Sequence, residues 1–482
     1  MPVLELNINI TLLIMLINIG FAFIIVFLER RNPAVTWTWL FVLMFIPIVG
    51  FILYLFIGQD MRKKKLFAKK EEVDLKSIAN RQSALIKNRT LDKIRPIAQK
   101  HSDIIQLQLH NSQSVYTQNN RVTILNNGDE KFPALFKAIR EAKDHVHLEY
   151  YIIRNDNLGK MLQQLLIEKA REGVEVRLLY DGMGCIRVPR RYFSKMSKAG
   201  VQVAEFYPPT LPYVNFRINY RNHRKIAIID GEKAFTGGLN IGDEYKGLVK
   251  KYGFWRDTHS MLEGESVDYF QMRFMVDWHF AYGERLPFDQ RYFPPKPMIG
   301  NTGVQVVSSG PDSTWAAVHQ GYLKMITKAK KNVYLQTPYL IPDDSILEAL
   351  KIAALGGVDV RIIIPCKPDH PFVYWASTSY AGELIDAGVK IYTYDNGFLH
   401  SKLLTVDGEI VSMGSANMDI RSFKLSFELN AFIYDKEVAT EFEHIFMQDL
   451  ECSTLITKEL YAQRSGWIKF KESISRLLSP IL

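Results

Sequence analysis

Two short stretches of this chain carry the residue types needed for phosphoryl chemistry. His223-Arg224-Lys225-Ile226-Ala227-Ile228-Ile229-Asp230 returns as His400-Ser401-Lys402-Leu403-Leu404-Thr405-Val406-Asp407, so both read H-x-K-x4-D. Each is followed by Gly and then by a second polar turn, Gly237-Gly238-Leu239-Asn240 or Gly414-Ser415-Ala416-Asn417, with the Asn 17 residues after its His. Two copies with the same downstream offset make coincidence remote. The run after each His is apolar and β-branched, which predicts a buried strand. Side chains two apart on a strand share a face, so His223 sits beside Lys225 and His400 beside Lys402. An imidazole next to an ammonium suits an anionic group such as a phosphate. The Asp, seven residues from its His, falls on the opposite face. It also precedes Gly in a favoured hairpin-turn dipeptide, so it is expected mainly to hold the turn or a nearby charge.

The doubled motif resembles the phospholipase D superfamily. That resemblance implies two halves meeting at a pseudo-twofold axis to build one active site. One His attacks phosphorus and forms a phosphohistidine, the other protonates the leaving alcohol, and Lys and Asn bind the phosphoryl oxygens. No metal or other cofactor is implied. His223, Lys225, Asp230, His400, Lys402 and Asp407 are then the catalytic candidates, and Asn240 and Asn417 the substrate-binding ones. Asp257, 34 residues after His223, and Glu428, 28 after His400, resemble the superfamily's His-orienting carboxylates. Ordinary ion pairs are the alternative for both.

The elements that must position these residues also repeat. Ala142 to Tyr151 corresponds to Ala329 to Tyr339, Gly173-Val174-Glu175-Val176 to Gly357-Val358-Asp359-Val360, and Ala199-Gly200-Val201 to Ala387-Gly388-Val389. Strand–helix alternation, built twice, predicts an α/β fold of two phospholipase D-like sandwich halves, residues 119–300 and 301–482. The Pro-bearing stretch Leu286 to Thr302 reads as the join. The first half carries an extra aromatic, Pro-rich and basic segment, Tyr207 to Arg221, expected to face the substrate, with a surface loop packed by its own aromatics as the alternative. Arg187, Arg190 and Arg191, and His370 in the second half, follow strand ends, where such folds place ligand loops. A solvated basic face explains the arginines equally well.

The chain of 482 residues is 47% hydrophobic with a net charge of +9, which points to an anionic partner, nucleic acid or membrane. Cys185, Cys366 and Cys452 are scattered and odd in number, which fits a reducing compartment and no disulfide framework. The first 60 residues favour lipid over nucleic acid. Ile8 to Leu28 and Val35 to Ile57 are each long and apolar enough to span a bilayer, with Trp37 and Trp39 near the start of the second. A hairpin entering from one side is the alternative. Arg62-Lys63-Lys64-Lys65 follows, which by the positive-inside rule places the remainder in the cytoplasm. Residues 61–118 read as a charged, partly helical juxtamembrane linker, and Trp467 to Leu482 as an amphipathic tail fit to lie on a membrane or to pack on the protein.

With these features the chain resembles bacterial cardiolipin synthases over nearly its whole length, through the Arg30-Arg31-Asn32-Pro33 link, the two Trp residues, Gly58-Gln59-Asp60 and the tail. The resemblance implies an enzyme of the bacterial cell membrane. It would act on phosphatidylglycerol, transferring a phosphatidyl group from one molecule to another. A membrane-tethered phosphodiesterase or nuclease of the same superfamily would use the same polar residues.

Overall fold

The apolar run after each motif histidine forms a strand inside a sheet, covered on both faces. The computed structural model describes residues 13, 16–20, 22–23, 33–46, 50, 95–207 and 220–480. The first sheet is built from β1 (Asn120–Asn126), β2 (His145–Tyr150), β3 (Glu175–Asp181), β4 (Gln202–Phe206), β5 (Lys225–Ile229), β6 (Lys233–Gly237) and β7 (Thr258–Gly264). Its order is β1-β7-β6-β5-β2-β3-β4. The second sheet uses β8 (Gly303–Ser309), β9 (Asn332–Gln336), β10 (Asp359–Pro365), β11 (Lys390–Tyr394), β12 (Leu403–Val406), β13 (Ile410–Gly414), β14 (Ser426–Tyr434) and β15 (Ser453–Leu455). Its order is β8-β14-β13-β12-β9-β10-β11-β15. Strand for strand, the first seven positions of the two sheets match. β2, β3 and β4 run parallel, as do β9, β10 and β11, while the motif strands β5 and β12 pair antiparallel with both neighbours. The duplication expected from the sequence is therefore a duplication of topology.

Helices cover the sheets as their periodicity requires. In α2 (Asn127–Glu141), Phe132, Leu135, Phe136 and Ile139 are buried at i, i+3, i+4 and i+7. Before it, α1 (Ser102–Ser112) packs on the second half: Ile104 and Ile105 join the core that includes Val307, Tyr322 and Tyr434. Residues 95–118, the end of the stretch read as a linker, thus fold with the second half. Further along are α3 (Val267–Tyr282), α4 (Pro371–Asp386), α5 (Lys436–Glu451) and α6 (Gly466–Leu477). The join after α3 has no helix or strand but is strapped to the first half. Tyr292 Oη donates to Glu175 Oε1 at 2.8 Å, and Arg291 Nε lies 2.7 Å from Asp144 Oδ1.

Residues 1–75 with 209–219 form a separate compact unit. Its described part holds a helix, Pro33–Phe45, that exposes Trp37, Phe41 and Phe45. No helix among the described residues is long and apolar enough to cross a membrane. The span expected at Ile8–Leu28 lies largely outside those residues, the one expected at Val35–Ile57 is described over 35–46 and at 50, and the basic cluster 62–65 and residues 208–219 of the aromatic insert lie outside them.

Candidate active site

The ends of the motif strands determine what each motif residue does. At the far end of β5, Asp230 and Gly231 both adopt positive φ, 53° and 65°, and at the end of β12 Asp407 and Gly408 do the same, 57° and 64°. These are the conformations a primed hairpin turn needs. Each carboxylate accepts three backbone N–H bonds from the approach to the neighbouring strand. For Asp230 the donors are Lys143, Asp144 and His145, at 2.8, 2.8 and 2.9 Å. For Asp407 they are Lys330, Lys331 and Asn332, at 3.0, 2.7 and 3.1 Å. Asp230 and Asp407 thus fasten their hairpins to β2 and β9, each seven residues along the chain from its histidine.

At the near end the two halves interlock. Arg221–Asn222, just before His223, pairs with Ser426–Phe427 of the second half, and Phe398–Leu399, just before His400, pairs with Trp255–Arg256 of the first. The ladders continue through His223 N–H to Phe427 O (3.0 Å) and His400 N–H to Arg256 O (2.7 Å). The residue after Phe427 is Glu428 and the residue after Arg256 is Asp257, so each His meets the other half's carboxylate. His223 Nδ1 lies 3.0 Å from Glu428 Oε1, and His400 Nδ1 lies 2.7 Å from Asp257 Oδ2. Both carboxylates are fully buried. The Nδ1–H donates to the carboxylate, which fixes the tautomer and leaves Nε2 as the ring's remaining lone pair.

The surroundings hold this arrangement stiffly. Ser415 Oγ donates to Glu428 Oε2 at 2.5 Å. Arg224, fully buried, spans the halves, with Nη1 2.7 Å from Asp277 Oδ2, Nη2 2.7 Å from Ser308 Oγ and Nε donating to Glu428 O at 3.3 Å. Arg256 spans them on the other side, with Nε 2.7 Å from Asp449 Oδ1 in α5. The Tyr151 ring meets His223 edge-on at 5.0 Å, and the Trp255 ring lies 5.1 Å from His400.

Lys225 and Lys402 are buried beside the histidines; their Nζ atoms donate to His223 O at 2.6 Å and His400 O at 2.5 Å. Asn240 and Asn417 return to the same cleft, which encloses ≈ 530 Å³ and is lined by both histidines, both asparagines, Tyr151 and Trp255. Asn240 Oδ1 accepts from Ile152 N–H at 3.1 Å, whereas Asn417 Oδ1 is buried with no hydrogen-bond partner among the described residues.

Electrostatics follow from burial. Burial pushes both His223 and His400 down to about 4; Lys225 and Lys402 push the same way, and Glu428 and Asp257 oppose them. Burial also lowers the lysines, Lys225 well below its ordinary value and Lys402 to about 8. For Glu428, burial works upward, but His223, Lys225 and Ser415 together hold it below the usual carboxylate range. Both rings are therefore neutral at pH 7.

Arg221, the last residue of the insert expected to face the substrate, lines the cleft. Sequence reasoning missed several other cleft residues: Tyr151 and Tyr339 end equivalent stretches of the repeat, and Tyr252, Asp369 and Arg421 also line the cleft. The Tyr pair was findable from the repeat; the others carry no local signal. Of the loop residues singled out, His370 lines the cleft, while Arg191 lines a separate depression with Lys160 and Lys195.

A family model described as "Cardiolipin synthase, PLD-like domain" matches residues 135–250 and 322–450, and the cardiolipin synthase of Listeria monocytogenes serotype 4b is 52% identical over 460 residues, 95% of each chain. The chain belongs to the cardiolipin synthase family. The cardiolipin synthase of Staphylococcus aureus strain Mu50 is 48% identical over 461 residues, 95% of this chain and 93% of that one. A second model, "Phospholipase_D-nuclease N-terminal", matches residues 16–59. Among solved structures, phosphatidylserine synthase of Haemophilus influenzae Rd KW20 superposes with a TM-score of 0.60 at 14% identity, covering 80% of this chain and all of that one. That likeness is one of fold.

Proposed function

We propose that this member of the cardiolipin synthase family is a membrane phosphatidyltransferase that joins two phosphatidylglycerol molecules into cardiolipin and releases glycerol. The observation that carries the proposal is the crossed pair: two histidines in one cleft, each with Nδ1 held by the other half's buried carboxylate and each beside a buried lysine. A neutral, oriented imidazole is a nucleophile, and two buried cations suit the oxygens of a phosphodiester.

In the first step Nε2 of one His attacks phosphorus, the bond to the headgroup glycerol breaks, and the second His gives its proton to the departing oxygen. In the second step a glycerol hydroxyl of another phosphatidylglycerol loses its proton to that His and attacks phosphorus, and the P–N bond breaks. His223 is assigned as nucleophile and His400 as acid and base by analogy with the superfamily. Lys225, Lys402, Asn240 and Asn417 hold the phosphoryl oxygens. Burial, aided by the two lysines, holds the histidines down; the substrate's negative charge offsets the lysines, so binding raises the acid His toward protonation. The spans at Ile8–Leu28 and Val35–Ile57 would anchor the enzyme in the cell membrane, with the cleft on the cytoplasmic side.

The test is a product assay on the full chain in phosphatidylglycerol bilayers without added metal. Cardiolipin and free glycerol in equal amounts are expected. Phosphatidic acid with glycerol instead would make the protein a hydrolase, and no lipid turnover would overturn the reading.

A further inference from the structure

The helix α6 is amphipathic the wrong way round for a helix packed on protein. Its inward side is polar. Glu472 and Ser475 are buried, Arg464 pairs with Glu472, and Arg476 pairs with Glu383 of α4 while its guanidinium lies 4.4 Å from the Tyr380 ring centroid. Its outward side is apolar. Trp467, Phe470, Ile474 and Leu477, at i, i+3, i+7 and i+10, share one face and are 64%, 54%, 41% and 77% exposed. The rings of Trp467 and Phe470 stack at 5.4 Å. A helix of a soluble domain hides its apolar stripe; an exposed one rimmed by charge marks a contact surface.

Two further observations say what that surface fits. The first is charge. The helix carries Lys469, Lys471 and Arg476 against one acid, Glu472, which is turned inward and paired. Lys471 Nζ sits between the rings of Trp375 and Trp467, 5.2 and 5.5 Å from their centroids. Aromatic rings interleaved with lysine at the edge of an apolar stripe match the boundary between acyl chains and anionic headgroups. The second is position. Lys471 meets Trp375 and Arg476 meets Tyr380, so α6 and α4 run in the same direction with their first turns together. The first turn of α4, Pro371 to Val373, lines the catalytic cleft, and Phe372 there is 55% exposed. The first turn of α6, where the stripe begins, therefore lies beside the turn of α4 that lines the cleft.

We propose that the outward face of α6, with the first turn of α4, docks on an anionic bilayer and sets the cleft mouth against the lipid headgroups. The proposal rests on the reading of the substrate as a membrane phospholipid. It gives α6 a role that the N-terminal anchor cannot fill: an anchor keeps the enzyme at the membrane, whereas α6 orients the cleft toward it.

The test compares the full chain with a variant carrying Trp467→Ser, Phe470→Ser and Leu477→Ser. Both are reconstituted in phosphatidylglycerol/phosphatidylcholine bilayers and also assayed on dihexanoyl-phosphatidylglycerol below its micellar concentration. Hydrogen exchange of residues 466–478 is read in phosphatidylglycerol vesicles, in pure phosphatidylcholine and in detergent. The variant is expected to lose bilayer turnover about tenfold, with turnover of the soluble lipid unchanged. Protection of 466–478 is expected with phosphatidylglycerol and to fall in the other two. Both rates falling together would make α6 a support of the cleft, and neither falling would make it idle; either overturns the proposal. Protection that rises with protein concentration in detergent would mean a second copy covers the stripe and would also overturn it. A wild type inactive on both lipids would count against the proposed function, and the exchange measurement would still decide the docking.

Discussion

Alanine at His223 or His400 is expected to lower cardiolipin formation by about 10³-fold or more, with the double substitution little worse than either alone. The crossed geometry requires this. Each imidazole is held by a carboxylate from the other half, so neither half contains a complete catalytic unit. Losing the nucleophile leaves no covalent path, and losing the acid leaves an alkoxide as leaving group. Because the two residues act in one reaction, their effects do not add. The substitutions are not expected to unfold the protein. Burial keeps both rings neutral, so their removal takes no charge out of the fold, and the interlocking strands, Arg224 and Arg256 remain. Melting temperatures within a few degrees of wild type, beside lost turnover, would separate chemistry from folding. Additive losses would mean that the histidines serve separate sites.

Lys402→Met is expected to move activity and stability in opposite directions. Loss of the buried cation that the proposed mechanism places on a phosphoryl oxygen is expected to lower turnover by roughly 10²- to 10³-fold. Stability at pH 7 rises, on the order of 2 to 3 kcal/mol. The sign follows from linkage. Burial lowers the folded Lys402 ammonium to about 8, so below that pH the charge is present in both states and costs free energy in the folded one. The penalty fades as pH rises from about 8 toward the ordinary lysine value of about 10.4. The stability gap between variant and wild type should therefore narrow over that alkaline range, in thermal melts taken at a series of pH values. A variant destabilised at pH 7 would show that the Nζ donation to His400 O outweighs the burial of charge.

The motif strands, the Asp-Gly turns and the twofold repetition were legible because each depends on neighbours in sequence: alternation over five residues, one dipeptide, a recurring strand–helix order. The pairing of His223 with Glu428 and of His400 with Asp257 was not. The offsets along the chain join each carboxylate to the His of its own half, and only the two-residue ladders between halves cross them over. Tyr252 and Arg421 fall in the same class, placed by tertiary contacts with no pattern around them. The neutral histidines were hidden for a different reason, since the lysine two residues along was visible but the desolvation that governs both was not. The amphipathic character of α6 was readable from its spacing; that its polar side faces the protein depended on Glu383 and Tyr380, nearly a hundred residues away in sequence.

The most direct measurement of the central claim is peptide mapping of the full-length enzyme quenched during turnover of isotopically labelled phosphatidylglycerol. A phosphatidyl adduct on a single histidine, His223 or His400, is expected. It should accumulate when the partner histidine is Ala and the lipid carries a leaving group that needs no proton, and be absent when the adducted histidine itself is replaced. Turnover to cardiolipin with no adduct on either histidine, or with adducts on both in the same molecule, would contradict one shared site built by two halves.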